Sequence, residues 1–314
     1  MARCLVTRRL PGTALERLAE VHEVEVWPER TAPSGEELRA RAEGCAGLLS
    51  LLTERLDADT LAALPELRVI SNYAVGFNNV DVEEATRRGI PVGHTPEMLT
   101  ETTADLAWAI LMAAARRLAE AEAYVRAGRW GPWEPDLLLG RDIHGATLGV
   151  VGYGAIGRAV ARRGEGFAMD VLFYDPVREG GVALDELLER ADFVSLHAPL
   201  TPDTHHLIDE AALRRMKDTA VLVNSARGEL VDPGALGRAL AEGWIFAAAL
   251  DVTEPEPLPA DHPLLEAPNL LVVPHIGSGT EATRAAMADL AVDNLLAGLA
   301  GERLPRCANP AVYD

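Results

Sequence analysis

The stretch "TLGVVGYGAIGR", Thr147–Arg158, decides how this chain folds. It opens as a short buried strand and passes through Gly152, Gly154 and Gly157 in a G-x-G-x-x-G pattern. It then enters a helical pattern, "AIGRAVARRGEGF". Three glycines alone are a weak signal, but between a strand and a helix they make a phosphate-binding turn. Gly152 permits the tight turn, Gly154 leaves room for a pyrophosphate to approach the backbone, and Gly157 lets helix and strand pack closely. The helix N-terminus adds free N–H donors and a partial positive charge.

The next strand, "MDVLFYD", ends in Asp175, 18 residues beyond Gly157. A carboxylate there accepts hydrogen bonds from the adenosine ribose hydroxyls and repels a 2′-phosphate, since like charges set against each other cost several kcal/mol. The pattern favours NAD(H) over NADP(H), with Arg178 nearby as a partial counterweight.

Working outward, strand-like runs continue downstream near 170–174, 192–197, 220–224, 246–250 and 270–274. Upstream they lie at 4–8, 22–27, 47–52, 67–72 and 90–94, with helical patterns such as "GTALERLAE" and "DVEEATRRG" between them. Alternating strands and helices imply parallel sheets covered by helices on both faces. The expectation is an α/β chain of two doubly wound domains. A single long helix is expected from just after Leu99 to about Ala127, where Gly128 stops it. The Gly/Pro-rich segment 128–145 reads as an ordered excursion. The tail 282–304 is helical again and packs back on the first domain, so residues 1–98 with 283–314 form one domain and 99–282 the other. Gly164 and Gly166 fall late in the helix after the glycine turn. Each costs about 1 kcal/mol against alanine in a helix interior, which favours an early end.

Bulk properties bound the function. A length of 314 residues suits about two domains. The longest apolar run, Leu106–Ala115, is far short of the roughly 20 residues a membrane span needs, and "MARCLVTRRL" lacks the layout of an export signal. Cys4, Cys45 and Cys307 are too scattered for a disulfide framework or a zinc site. Reduced thiols in a cytoplasm, no metal and no membrane partner are expected. A net charge of −19 argues against nucleic acid, and an anionic substrate would need a local cation to overcome that field.

Three later loops each follow a strand of the glycine-turn sheet. "AVLVNSARGELVD" carries Arg227, "AAALDVTEPEP" carries Asp251, Glu254 and Glu256, and "LLVVPHIGS" carries His275. Ligands of doubly wound sheets bind beyond the C-terminal strand ends, so these residues can converge on one crevice. A carboxylate beside an imidazole keeps one ring nitrogen protonated and favours the charged ring, leaving the other nitrogen to deliver a proton. A guanidinium grips a carboxylate in bidentate fashion. Together with a nicotinamide these groups describe a 2-oxo-acid reductase. Taken singly, Arg227 also reads as a turn cation, His275 more readily as a core histidine, and both glutamates as loop acids. The case rests on their joint placement.

The motifs "GYGAIGRA", "NSARGELVD", "LDVTEPEPLP" and "PHIGSGT" closely resemble the D-isomer-specific 2-hydroxyacid dehydrogenase family. "NYAVGFNNVDVEEATRRGIPVGHTPEMLTETTADLAWAILMAAARR" and "DNLLAGLAGERLPRCANP" look most like its glyoxylate/hydroxypyruvate reductase branch. The resemblance runs nearly end to end. It implies a Rossmann nucleotide-binding domain and a flavodoxin-like substrate domain with the active-site cleft between them. It further implies catalysis by Arg227, Glu256 and His275, with Glu256 as the histidine's partner and Glu254 a plain loop residue. Val75 and Gly76 amides and Arg227 would bind the substrate carboxylate, with Ser278 a lesser candidate. The cofactor set would be Thr103, Gly152, Gly154, Ala155, Ile156, Gly157, Asp175, His197, Ala198, Ser225, Ala226, Asp251, His275 and Gly277. Such enzymes are usually homodimers built on the nucleotide domain. Trp130 and Trp133 then read as dimer or core packing, with Trp133 a candidate to line the partner's cleft. Sister activities on D-lactate, 3-phosphoglycerate or phosphite, and a non-catalytic NAD(H)-sensing co-repressor, are the competing readings.

Overall fold

Five short strands open the chain: β1 (Arg3–Val6), β2 (Glu23–Val26), β3 (Gly47–Ser50), β4 (Val69–Asn72) and β5 (Val92–Gly93). They pair in parallel in the order β2-β1-β3-β4-β5. Leu5, Leu48 and Ile70, side by side across the strands, pack into one core while Val6, Leu49 and Val69 pack into another, so the central strands are apolar on both faces, as a sheet covered twice by helices requires. The computed structural model describes all residues, Met1–Asp314, and divides them into Met1–Leu99 with Ser278–Asp314, and Thr100–Gly277.

The C-terminal helix Glu281–Ala300 joins the first unit by burying Ala288, Ala291, Val292 and Leu295 beside Val69 and Leu49. At Gly298 a Cβ would stand 2.4 Å from the Val69 side chain, so only glycine permits that approach. Thr280 caps this helix, its hydroxyl accepting from Thr283 N–H. The turn before it belongs to the same unit, which resumes at Ser278.

The second unit carries β6 (Thr147–Val151), β7 (Asp170–Tyr174), β8 (Phe193–Leu196), β9 (Val221–Asn224), β10 (Ala247–Leu250) and β11 (Leu270–Val272). All are parallel, in the order β11-β10-β9-β8-β6-β7. The chain leaves β6 for β7 on one side and returns to β8 on the other. The switch point of the sheet therefore lies at the glycine turn that follows β6, where open α/β sheets bind ligands.

The long helix expected from Leu99 to Ala127 is two helices, Thr100–Ala115 and Leu118–Arg126. No glycine or proline breaks it. The returning chain does: Arg141 N–H donates to the Ala115 carbonyl at 2.8 Å, and a Cβ at Gly140 would stand 2.4 Å from that same oxygen. With its acceptor taken, the helix ends. Arg117 turns left-handed (φ 52°), and its guanidinium grips Glu120 through two 2.8 Å hydrogen bonds. The first helix sits against the sheet through Ala104, Ala107, Trp108, Ile110 and Leu111. The second buries no residue.

The helix after the glycine turn, Ala155–Glu165, runs past Gly164 instead of ending before it. A Cβ at Gly164 would meet Leu148 at 3.2 Å, so closeness to the sheet compensates for the glycine's poor helix propensity.

Candidate active site

At the switch point, Gly152 adopts φ +90°, and a Cβ there would stand 2.5 Å from Ala198 N and 2.6 Å from the His197 carbonyl carbon. The glycine turn is thus pressed onto the loop after β8. Gly157 is equally constrained, its virtual Cβ 2.1 Å from Gly152 O. Gly154 faces open space and caps the helix with no side chain over its first N–H groups, which leaves Ala155 and Ile156 at an uncovered helix N-terminus. Open room over free donors is what a pyrophosphate requires. Asp175 stands beside this cradle, its Oδ2 accepting from Tyr153 N–H at 2.8 Å and its Oδ1 from Val177 N–H at 3.0 Å. These residues fit a dinucleotide.

His197 rests on Ser195 Oγ through Nε2 at 2.8 Å. Desolvation pushes its imidazole down to about 4, so the ring is neutral at pH 7. The Ser225 hydroxyl is buried without a hydrogen-bond partner, a group that a ligand at this edge could satisfy.

The loop after β9 is stapled by Asn224, which sequence reading passed over. Its Oδ1 accepts from Ala226 N–H at 3.0 Å and its amide donates to the Arg227 carbonyl at 2.7 Å. An asparagine folding its own loop is a recognised turn device and was the available signal. Arg227 Nη1 donates to Ala226 O at 2.6 Å. Burial lowers the guanidinium from its usual range, while Glu229 and Glu256 pull the other way. It stays a cation.

Gly228 then presses against the loop after β10: a Cβ there would stand 2.0 Å from Thr253 O and 2.8 Å from Glu254 N. On that second loop Glu256 Oε1 meets His275 Nδ1 at 2.6 Å. Burial opposes ionisation of Glu256, yet the hydrogen bond and charge of His275, helped by Thr253 N–H and Arg227, hold it below the ordinary carboxylate range. His275 is itself left-handed (φ 51°). What holds it so is Asp251, buried, whose oxygens accept from Ile276 N–H at 2.6 Å and Gly277 N–H at 2.8 Å. Burial pushes the Asp251 carboxyl up, and the two donors with His275 pull it back. Its carboxylate is thus turned to the histidine's own loop. Thr103 closes the group from the side, 3.4 Å from where a Gly277 Cβ would lie.

Glu254, expected to be a plain loop acid, is hydrogen-bonded: its Oε2 lies 2.7 Å from His206 Nε2. In the first unit, Gly76 O accepts from Asn72 Nδ2 at 3.0 Å and Val75 O lies 2.9 Å from His94 Nδ1. The Val75 and Gly76 N–H groups themselves meet no acceptor. Ser278 opens the turn before the C-terminal helix, its carbonyl accepting from Thr280 N–H. Trp130 and Trp133 are 71% and 84% exposed, so neither packs into a core.

A family model described as the NAD-binding domain of the D-isomer specific 2-hydroxyacid dehydrogenases matches residues 108–277. The chain belongs to that family. It is 49% identical over 320 residues to the glyoxylate reductase of Korarchaeum cryptofilum, covering 99% of this chain and 96% of that one. A crystal structure of a Thermus thermophilus protein, 50% identical, superposes with a TM-score of 0.92 over 98% of this chain and 99% of the other. The NADPH-dependent glyoxylate/hydroxypyruvate reductase of Sinorhizobium meliloti, 32% identical, gives 0.85 over 99% of both. This 2-hydroxyacid dehydrogenase is therefore an oxidoreductase with a nicotinamide-dinucleotide domain. No helix is long and apolar enough to cross a membrane.

Proposed function

We propose that this dehydrogenase reduces glyoxylate to glycolate, and hydroxypyruvate to D-glycerate, with NADH as the reductant. Relatives named glyoxylate reductase along the whole chain support the substrate. The observation that carries the chemistry is the 2.6 Å contact between His275 Nδ1 and Glu256, on a loop pressed against the one bearing Arg227.

The bound nicotinamide supplies the hydride. Everything else falls to side chains. Arg227, a fixed cation in an acidic protein, seats the substrate carboxylate bidentately and aligns the neighbouring carbonyl. The N–H groups of Val75 and Gly76 are a second anion-binding pair. Glu256 keeps the proton on His275 Nδ1, which leaves Nε2 to give its proton to the oxygen as negative charge develops there. Asp251 holds the turn that aims the ring. The nicotinamide end would rest against Thr103, Ser225, Ala226 and Gly277, and the pyrophosphate on the glycine turn.

Asp175 supports a preference for NADH, because a carboxylate at that place disfavours a 2′-phosphate. The exposed apolar side chains Leu118, Val125, Trp130, Trp133 and Leu139, all within one stretch of chain, support a homodimer through this unit, and the family resemblance makes Trp133 the residue to reach the partner's site. Three unpaired cysteines suit a reducing cytoplasm.

The test is a panel of glyoxylate, hydroxypyruvate, pyruvate and 3-phosphohydroxypyruvate with NADH and NADPH. Glyoxylate with NADH should give the highest kcat/KM. His275→Gln should slow that reaction by about 10²–10⁴-fold while dinucleotide affinity stays unchanged. Undiminished turnover in the variant would sink the assignment.

A further inference from the structure

Away from the proposed proton donor, His205, His206 and Glu254 bring three metal-ligating atoms within 4.8 Å of one another. Their arrangement is built by the backbone. Adjacent residues of an extended chain point to opposite sides, but His206 is left-handed (φ 50°). The two imidazoles consequently stack on one side, centroids 4.0 Å apart and 28° from parallel. A left-handed residue without glycine's freedom is strained and persists only where the surroundings enforce it. Here His206 N–H donates to Glu229 O at 2.8 Å, and its ring meets Glu254 Oε2 at 2.7 Å. His205 Nε2 stands 4.0 Å from the other oxygen, Oε1.

We propose that His205, His206 and Glu254 form a binding site for a zinc-class divalent cation. Two imidazoles and one carboxylate, with a fourth position open to water, are a ligand set that Zn²⁺ accepts. Tetrahedral zinc with bonds of about 2.0–2.1 Å sets its ligands about 3.3 Å apart. Present separations straddle that value. The cation takes the place of the His206–Glu254 hydrogen bond, and the half-exposed His205 ring swings in by about an ångström. The site uses none of the residues assigned to the dinucleotide, and it bridges two loops of the proposed machinery. Glu229 follows Arg227 by two residues, and Glu254 precedes Glu256 by two. Occupancy therefore braces both loops through His206, a consequence that rests on the roles given above to Arg227 and Glu256, although the site itself does not.

The experiment is calorimetric titration of the chelator-treated full chain with Zn²⁺, free of cofactor and substrate, beside His205→Asn and Glu254→Gln. One saturable Zn²⁺ per chain is expected, weakened at least about 10-fold in each variant, the scale on which even outer partners of a metal act. Zn²⁺ should also raise the Tm of the parent chain, and not that of His205→Asn, whose ring is exposed and whose loss leaves the fold intact. Absence of saturable binding, or equal affinity in the parent and His205→Asn, overturns the proposal. If Zn²⁺ binds as expected while the substrate panel fails, only the reading of the active site falls.

Discussion

Gly228→Ala probes the contact on which the proposed machinery depends. A methyl at this position starts 2.0 Å from the Thr253 carbonyl oxygen and 2.1 Å from its carbon, whereas Cβ contacts essentially never fall below 3.0 Å. The loops bearing Arg227 and Glu256 must therefore part by about 1 Å, and because every close atom is backbone no side chain can swing aside. Overpacking of this kind costs about 1–3 kcal/mol. Gly→Ala without strain would instead stabilise by about 0.4–1 kcal/mol through the unfolded chain, so a net loss near 1–2 kcal/mol is expected. At about 2–4 °C per kcal/mol for a unit of this size, the Tm drops by about 2–8 °C. The kinetic effect is larger than the structural one: displacement by about 1 Å from a productive geometry costs on the order of 10²-fold. Steady-state oxidation of NADH by glyoxylate should show kcat/KM down by that factor, with NADH affinity falling less, because the pyrophosphate is held by the glycine turn and not by the displaced loop. A folded variant with its lowered Tm and unreduced kcat/KM would show that Arg227 and Glu256 need not be held in register, and the proposed division of labour would fail.

Other perturbations separate the parts. Arg227→Gln removes the substrate's counter-charge and should raise KM for glyoxylate at least about 10-fold, as expected for a lost charge-assisted bidentate pair worth roughly 1.5–3 kcal/mol; a change confined to NADH binding would contradict it. Gly154→Val fills the open space over the helix N-terminus and should weaken NADH about 10-fold or more without lowering Tm, read by fluorescence titration. Desolvation sets His197 at about 4, against 6.5 when unfolded. Between those values the unfolded chain binds more protons, so stability falls as pH drops from 6.5 to 4. With the ring partly open to solvent, the loss is about 2 kcal/mol; urea unfolding of His197→Asn across that window should lack this component.

The alternation of strands and helices was legible because it depends on local period: "GLLS" and "VISN" declare buried strands wherever they stand. The glycine turn was legible for a similar reason, its function being steric and written in three positions. What stayed hidden was set by distant chain. Nothing between Leu99 and Ala127 announces the break at Arg117, because the Ala115 carbonyl is taken by Arg141, far along the sequence. Glu254 reads as a solvated loop acid until His206, 48 residues upstream, is found against it. Gly228 looks like any glycine after an arginine until Thr253 arrives from the neighbouring strand. Strand order puts Glu256 and His275 on one sheet edge; only the folded loops bring their atoms to 2.6 Å.

Asp175 commits both its oxygens to main-chain N–H groups, those of Tyr153 and Val177. Replacing it with a small neutral residue would do two things together. It would remove a negative charge beside the glycine turn, and it would free two main-chain N–H donors for another acceptor. One side chain thus decides whether this corner of the sheet offers an incoming ligand a negative charge or two open main-chain donors.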